Sequence, residues 1–216
     1  MPEHPASVEI IYADAHLLVL NKSAGLLSVP GRGADKQDCL SLRAQRHYPD
    51  ALIVHRLDMS TSGLMLMARG AAMQTALSKL FEVRQVFKRY IAVVDGQLPI
   101  QADWQLIDAP IALDWPNRPL RIIQADAGKP SQTRWRAVFY DAAADTTRVE
   151  LQPVTGRSHQ LRVHLKALGH PILGDALYAQ ASTLAKSPRL LLHATELRFQ
   201  HPVAGAVSVF ESPPPF

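Results

Sequence analysis

Short apolar runs separated by turn residues constrain the fold of this 216-residue chain more than any other feature of its sequence. Such runs are typical of β-strands, and only a few segments repeat their apolar residues with a helical period. The regular alternation of strand and helix that marks a parallel sheet is also missing. The pattern predicts an α+β fold with a mainly antiparallel sheet. The predicted strands are residues 8–12, 17–20, 64–68, 90–94, 120–124, 133–140, 148–152, 190–199 and 206–210.

Three segments are predicted to be helices. Residues 39–48 lie between Asp38, which we expect to cap the helix, and Pro49, which ends it. Residues 71–83 place their apolar side chains on one helical face. Residues 158–168 are predicted to start with Ser158 as the N-cap and to end at Gly169.

The third predicted helix has a cationic face. On a helical wheel, His159, Arg162 and Lys166 share one side, and leucines occupy the other. We therefore expect this helix to bury its leucines and to present a row of cationic groups.

The composition excludes several classes of protein. Apolar residues make up 47% of the chain and charged residues 19%, which excludes a disordered protein. No run of eighteen apolar residues occurs, and the first residues lack the basic and apolar regions of a signal peptide. Cys39 is the sole cysteine, so an internal disulfide or a cysteine zinc cluster is excluded. We expect a cytoplasmic protein with one domain, residues 8–216, after a lead of residues 1–7.

Basic residues are concentrated in two parts of the sequence. Residues 43–89 contain eight basic and three acidic residues, and residues 157–170 contain three basic residues, three histidines and no acid. Sixteen of the 23 basic residues are arginine, which binds phosphate and stacks on bases better than lysine. This distribution indicates a groove for a polyanion if the fold brings the two stretches together. An ordinary solvated surface is the alternative, and charge alone does not choose between them.

The segment His55-Arg-Leu-Asp-Met-Ser-Thr-Ser-Gly63 contains one carboxylate among small hydroxyl residues, directly before a predicted buried strand. A loop in this position can hold an acid in a fixed place, and hydroxyl and amide groups keep such an acid ionised. Asp58 is therefore a candidate catalytic residue. The alternative is a turn stabilised by an Asp side chain, which is the commoner use of this pattern.

The segment Thr155-Gly-Arg-Ser-His-Gln-Leu-Arg-Val-His164 indicates ion pairs or phosphate contacts by its two arginines. Its histidines are five residues apart, which is not the spacing of a helical zinc pair, and no cysteine or acid completes a ligand set. Lys88-Arg-Tyr90 opens a predicted strand, where Tyr90 could stack on a base or be a half-buried strand residue. Neither a dinucleotide-binding glycine motif nor a P-loop occurs.

Together these segments resemble the RluA family of pseudouridine synthases. Residues 55–63 match the HRLDxxTSG motif of that family, and residues 156–162 match its GRxHQxR motif. His170-Pro-Ile-Leu-Gly-Asp-Ala-Leu-Tyr178 resembles the continuation of the second motif, and Leu192-His-Ala194 with His201-Pro202 resembles the closing element. Asn21-Lys-Ser-Ala-Gly-Leu26 is similar to the opening motif, with Ser23 in place of a proline. The resemblance covers residues 8–216 and is greatest to the compact members, which lack an S4-like domain.

The resemblance implies an isomerase that converts a uridine to pseudouridine in a stem-loop of ribosomal or transfer RNA, without cofactor or metal. It implies a central RNA-binding cleft in a sheet flanked by helices. Asp58 would carry the reaction, by attacking the sugar or by removing a sugar proton, and the sequence leaves both routes open. Arg162 would pair with Asp58, and Tyr90 would stack on the flipped uracil. The expected RNA-binding residues are Arg56, Lys88, Arg89, Arg157, His159 and Leu192.

Two other classes of function compete with this interpretation. One is a non-catalytic RNA-binding module, in which Asp58 is only a turn residue. The other is a metal-dependent hydrolase that uses some of the nine histidines. We expect RNA as the partner of this chain, no membrane or obligate protein partner, and a monomer.

Overall fold

A computed structural model describes residues 8–216. Backbone contacts divide these residues into two compact units. Unit one consists of residues 8–87 and 194–214, and unit two consists of residues 88–193 and 215–216.

The described chain contains twelve strands and four α-helices. The strands are β1 (Glu9–Ala13), β2 (Leu17–Lys22), β3 (Ala51–Ile53), β4 (Ser62–Arg69), β5 (Phe87–Asp95), β6 (Gln105–Asp108), β7 (Ile111–Leu113), β8 (Arg121–Ile123), β9 (Gln132–Asp141), β10 (Thr146–Pro153), β11 (Leu192–Gln200) and β12 (Val207–Glu211). The helices are α1 (Leu40–Gln45), α2 (Ala71–Glu82), α3 (Gln160–Ala167) and α4 (Ala181–Ala185), and a short 3-10 helix spans Ala34–Lys36.

Unit one is built around strand β4. Its strands follow the order β1-β2-β4-β11, with β3 paired to β4 and β12 paired to β11. The β1–β2, β2–β4, β3–β4 and β11–β12 pairs are antiparallel. Helix α2 packs on the face of the sheet that carries Leu64 and Leu66, and helix α1 packs on the face that carries Met65 and Met67. Because a helix covers each face, β4 is apolar at successive positions and does not alternate with polar residues.

Unit two contains an antiparallel sheet in the order β5-β10-β9-β6. Helix α3 packs Leu161 and Leu165 against one face, where Ala92, Val149 and Leu151 are among the buried residues. Strands β7 and β8 form a separate antiparallel hairpin. One face of unit two is therefore a core built with α3.

The predicted α+β class with a mainly antiparallel sheet is confirmed. The nine predicted strands and the helix over residues 71–83 are present, with ends that shift by a few residues. Strands β3, β6 and β7 and helix α4 were not predicted. Each has three to five residues, which is too short for a periodic pattern to stand out.

The prediction for the first helix is wrong at both ends. Helix α1 spans Leu40–Gln45, not residues 39–48, and its N-cap is Cys39, which makes no side-chain capping bond. Asp38 does not cap the helix. Its carboxylate accepts bonds from Nε and Nη2 of Arg43 at 2.7 and 2.6 Å. The guanidinium is a charged donor, and it is the partner this carboxylate takes in place of the helix N-terminus.

The start of the third helix also differs from the prediction. Its N-cap is His159, with a left-handed φ of 58°, and not Ser158. The side chain of Gln160 ties this turn, because its Oε1 accepts bonds from Arg157 N and Thr155 Oγ1 at 3.0 and 2.7 Å. The predicted end is confirmed, since Gly169 follows the helix with a φ of 85°.

The cationic face of α3 is not a row of exposed charges. His159, Arg162 and Lys166 do share a side of the helix, as the wheel predicts, but all three contact Tyr178. Arg162 is only 3% exposed. This face is partly an internal packing surface, because the aromatic ring and a buried carboxylate satisfy the charges there.

A buried histidine of α3 makes the stability of unit two depend on pH. His164 is fully buried, with its Nδ1 2.8 Å from Thr133 Oγ1 and its Nε2 3.0 Å from the carbonyl oxygen of Ala109. Burial lowers the pKa of His164, and the Ala109 carbonyl offsets this only in part. The folded protein therefore holds the neutral imidazole.

We predict that the free energy of unfolding falls as the pH drops below about 6.5, the ordinary pKa of histidine. The unfolded chain then binds a proton that the folded chain resists, so protonation favours unfolding. The measurement is denaturant unfolding between pH 7.5 and 5. His164→Gln should lower the stability and also flatten this pH dependence, whereas replacement of the exposed His47 by Gln should leave the dependence intact. An unchanged pH dependence in His164→Gln would refute the assignment.

Candidate active site

Asp58 lies in the loop that precedes strand β4 in unit one. Its side chain is half-buried, and the neighbouring Arg56 is exposed. The Thr61 N–H donates to the backbone carbonyl oxygen of Asp58 at 3.1 Å and closes a turn. Backbone atoms therefore supply one bond of this turn.

Several contacts fix the loop on either side of Asp58. Before it, His55 Nε2 accepts the Leu66 N–H at 2.8 Å, and the His55 ring stacks on Phe81 with 4.5 Å between ring centroids. The hydroxyl of Ser28 donates to the Leu57 carbonyl at 2.7 Å and accepts from the Leu57 N–H at 3.1 Å. The backbone that carries Asp58 is therefore held by side chains from elsewhere in unit one.

Lys22 holds the other side of the loop. Its side chain is almost completely buried, and its Nζ donates to the carbonyls of Ser23, Leu26 and Met59 at 2.9, 2.7 and 3.0 Å. The Gly25 N–H also donates to the Met59 carbonyl, at 2.9 Å. The opening motif is therefore a support for the residue that follows Asp58. Sequence reasoning gave Lys22 no role, because a lysine is usually at the surface and its position in that motif was the only signal.

Gly63 fits a position that no other residue can take. Its φ is +111°, and an added Cβ would lie 2.3 Å from the carbonyl oxygen of Ala194. The glycine of the HRLDxxTSG motif thus allows the first part of β4 to approach Ala194 closely.

Unit two contains the candidates on strand β5. Tyr90 is half-buried and packs against the cluster that includes Ala92 and Leu192. Successive side chains of a strand point to opposite faces, so Lys88 shares the face of Tyr90 and Arg89 lies on the other. Arg89 Nη1 is 3.6 Å from Glu150 Oε1. Tyr90 therefore borders the cluster that contains Leu192, and strand alternation directs Arg89 to the opposite face.

Arg162 forms a buried ion pair in unit two. Its Nε and Nη2 donate to the two carboxylate oxygens of Asp175 at 2.8 and 2.6 Å. The Arg162 side chain is 4% exposed and that of Asp175 is fully buried. Sequence reasoning placed Asp175 in a motif but gave it no role. The pairing of Arg162 with Asp58 stays a prediction.

His159 and Arg157 flank the start of α3. His159 Nδ1 is 2.7 Å from the hydroxyl of Tyr178, which also accepts the backbone N–H of Arg121 at 2.9 Å. Arg157 is exposed, and its Nε donates to the Pro130 carbonyl at 3.3 Å. His159 and Arg162 thus meet around one tyrosine, and Arg157 lies nearer the surface.

Within residues 8–216, no three His, Cys, Asp or Glu side chains come together as a group that could hold a metal ion. None of the helices in this part of the chain is long and apolar enough to cross a membrane.

Known proteins share this fold and these motifs. The structure matches that of human RNA Pseudouridylate Synthase Domain Containing 1 with a TM-score of 0.80 and 30% identity, over 100% of this chain and 87% of that one. It matches human RNA Pseudouridylate Synthase Domain Containing 4 with a TM-score of 0.74 and 26% identity, over 96% of this chain and 88% of that one. The fold is that of a pseudouridine synthase.

The sequence comparisons define the family. The family model described as RNA pseudouridylate synthase matches residues 16–167. The Dual-specificity RNA pseudouridine synthase RluA of Escherichia coli (strain K12) is 49% identical over 100% of this chain and 96% of its own length. The protein of the same name from Vibrio vulnificus (strain CMCP6) is 49% identical over 94% of this chain and 81% of its own length. The chain belongs to the RNA pseudouridylate synthase family and is an isomerase that acts on RNA, which confirms the resemblance to the RluA family.

The geometry of Gly63 generates a prediction about stability. Gly63→Ala should lower the free energy of unfolding by more than the roughly 1–3 kcal/mol that an unfavourable backbone conformation costs, because its Cβ also overlaps the Ala194 carbonyl. Gly205→Ala is the matched control, since Gly205 has a φ of +70° and an added Cβ there meets nothing within 4 Å. The measurement is urea unfolding of both variants. Equal losses in the two variants would contradict the steric account.

Proposed function

We propose that Asp58 is the catalytic carboxylate of this synthase. The proposal rests on the fixed position of the loop that contains Asp58. Bonds from Ser28 and Lys22 to the residues on either side, Leu57 and Met59, hold the backbone there. Orienting a mobile group for reaction costs conformational entropy. A group that the fold already holds in place avoids most of this cost. Asp58 is also the sole acid of the HRLDxxTSG motif.

The chemistry of the reaction requires one carboxylate. Pseudouridylation breaks the N1–C1′ bond of uridine, turns the base and joins C5 to C1′. C5 gives up its proton and N1 takes one up, so the product is an isomer of the substrate. Nothing is oxidised and no group is added, so we expect no cofactor. Glycosidases use two carboxylates because they add water, whereas this isomerisation excludes water and one carboxylate suffices. Asp58 would attack C1′ or remove a sugar proton.

Tyr90 and Arg162 are proposed to complete the site. The target base is flipped out of its stack before reaction, which costs a few kcal/mol, and the half-buried ring of Tyr90 would stack on it. Arg162 would pair with Asp58 and keep it charged, as the family resemblance implies. Arg56, Lys88, Arg89, Arg157, His159 and Leu192 are the proposed RNA-binding residues.

The substrate is proposed from the named relatives. The RluA proteins of E. coli and V. vulnificus carry dual specificity in their names. We propose that this chain modifies a uridine in a stem-loop of ribosomal RNA, transfer RNA or both. It would do so in the cytoplasm, as a monomer without an obligate protein partner, with residues 8–216 as one catalytic domain.

Replacement of Asp58 tests the central role. Asp58→Asn should lower the single-turnover rate at least about a thousandfold, because the neutral amide cannot serve as the carboxylate. RNA affinity should change little. The measurement is release of tritium from RNA labelled at C5 of uridine. Asp50→Asn is the control, since this half-exposed acid of unit one pairs with Arg69. A rate for Asp58→Asn within about tenfold of the wild type would mean that Asp58 is only a turn residue.

Two variants of Tyr90 separate stacking from chemistry. Tyr90→Phe keeps the ring but removes the hydroxyl, which would help to move the C5 proton, so we expect it to bind RNA normally and to react slowly or not at all. Tyr90→Ala should also weaken binding by the roughly 1–3 kcal/mol of one base–aromatic stack. Binding titrations and the tritium assay measure the two effects. Wild-type behaviour of Tyr90→Ala in both assays would assign the residue to packing.

The two arginines of the second motif are predicted to differ. Arg162→Lys keeps the charge but loses the planar fork, so the single-turnover rate should fall about a hundredfold or more with little change in RNA affinity. Arg157→Lys should change affinity modestly and leave the rate within about threefold, because Arg157 is exposed. Rates are compared at saturating enzyme. Equal losses, or a larger loss for Arg157→Lys, would refute a special role for Arg162.

A further inference from the structure

The buried carboxylate of Asp175 accepts four hydrogen bonds within unit two. Its Oδ1 accepts bonds from Arg162 Nη2 at 2.6 Å, from Leu177 N at 3.0 Å and from Tyr178 N at 3.2 Å. Its Oδ2 accepts from Arg162 Nε at 2.8 Å. The two backbone bonds fix the carboxylate to the turn that follows it, and the other two fix the guanidinium to the carboxylate.

Tyr178 restrains the same guanidinium from a second direction. The Arg162 Cζ lies 5.1 Å from the centre of the Tyr178 ring. The Tyr178 hydroxyl is held by the Arg121 N–H and by His159 Nδ1. The carboxylate therefore fixes the guanidinium along one edge, and the ring contacts it from another side.

We propose that Asp175 is a positioning residue for Arg162. It engages the edge formed by Nε and Nη2, so the remaining terminal nitrogen, Nη1, is directed away from Asp175 along a fixed line. A carboxylate and a guanidinium in bidentate contact match in geometry and in charge. This inference rests on the proposed role of Arg162.

Asp175→Asn separates positioning from the turn. The amide oxygen can still accept the N–H groups of Leu177 and Tyr178, but the amide nitrogen faces Arg162 Nε, and two donors then oppose each other. We expect the single-turnover rate on RNA labelled with tritium at C5 of uridine to fall about a hundredfold, since small misplacements of an active-site group cost this much. RNA affinity should stay within about threefold of the wild type, because the Arg162 and Asp175 side chains are almost completely buried.

A double-mutant cycle distinguishes positioning from folding. Asp175→Asn is measured in the wild type and in the Arg162→Lys background. If Asp175 acts through Arg162, the second substitution adds little to the first. Equal rate factors in both backgrounds would overturn the proposal, because Asp175 would then act independently of Arg162.

Two further variants control for loss of a buried acid and for loss of folding. Asp95→Asn is the matched variant, because Asp95 is also a carboxylate of unit two, paired with Lys186 at 2.6 Å and with Thr183 at 2.5 Å, and it should keep its rate within about threefold. Asp175→Ser keeps an acceptor for the turn and serves as a second variant. Failure of both Asp175 variants to fold, seen by circular dichroism, would assign the residue to folding and overturn the proposal.

The outcome for the wild type separates this inference from the proposed function. Absence of tritium release from the wild type would refute the substrate or the activity itself. Normal release from the wild type and from a folded Asp175→Asn variant would refute only the positioning role.

Discussion

The loop of Asp58 depends on the hydrogen bonds that the buried ammonium group of Lys22 donates. A charged group that is removed from water is costly unless polar partners replace the water. An ammonium has three donors, and Lys22 directs bonds to three carbonyls, of which two belong to its own motif and one belongs to Met59. The desolvation of one charge is thus offset by bonds that join two distant segments of sequence. The replacement of the usual proline by Ser23 does not remove this contact, since Lys22 binds the backbone carbonyl of residue 23.

Unit two also satisfies a buried cation with polar partners, but one of these partners is itself charged. There the buried charge is a guanidinium, and a carboxylate satisfies it together with the ring of Tyr178. Removal of one partner of such a pair is strongly destabilising because it leaves a buried charge, although the pair itself adds little to stability. A buried pair of this kind fixes the position of a side chain. Precise positions of this sort are what a functional site requires.

Much of the fold was readable in the sequence, and the failures have physical causes. Strand β4 and helix α2 were predicted because their apolar patterns are long and unambiguous. Asp38 was assigned as a cap from its type and position, but Arg43, five residues on, gives it a stronger partner. The motifs made Asp58 and Arg162 candidates for the site without showing what holds them. Lys22 meets Met59 across 37 residues and Arg162 meets Asp175 across 13, and local patterns carry no information about such contacts.

The most direct test of the central claim is a map of pseudouridines in ribosomal and transfer RNA from cells that lack the gene for this chain. The account predicts that at least one pseudouridine in a stem-loop disappears, returns when the wild-type chain is supplied, and stays absent when Asp58→Asn is supplied at the same level. Retention of every pseudouridine in the deletion strain, or restoration by Asp58→Asn, would contradict the account.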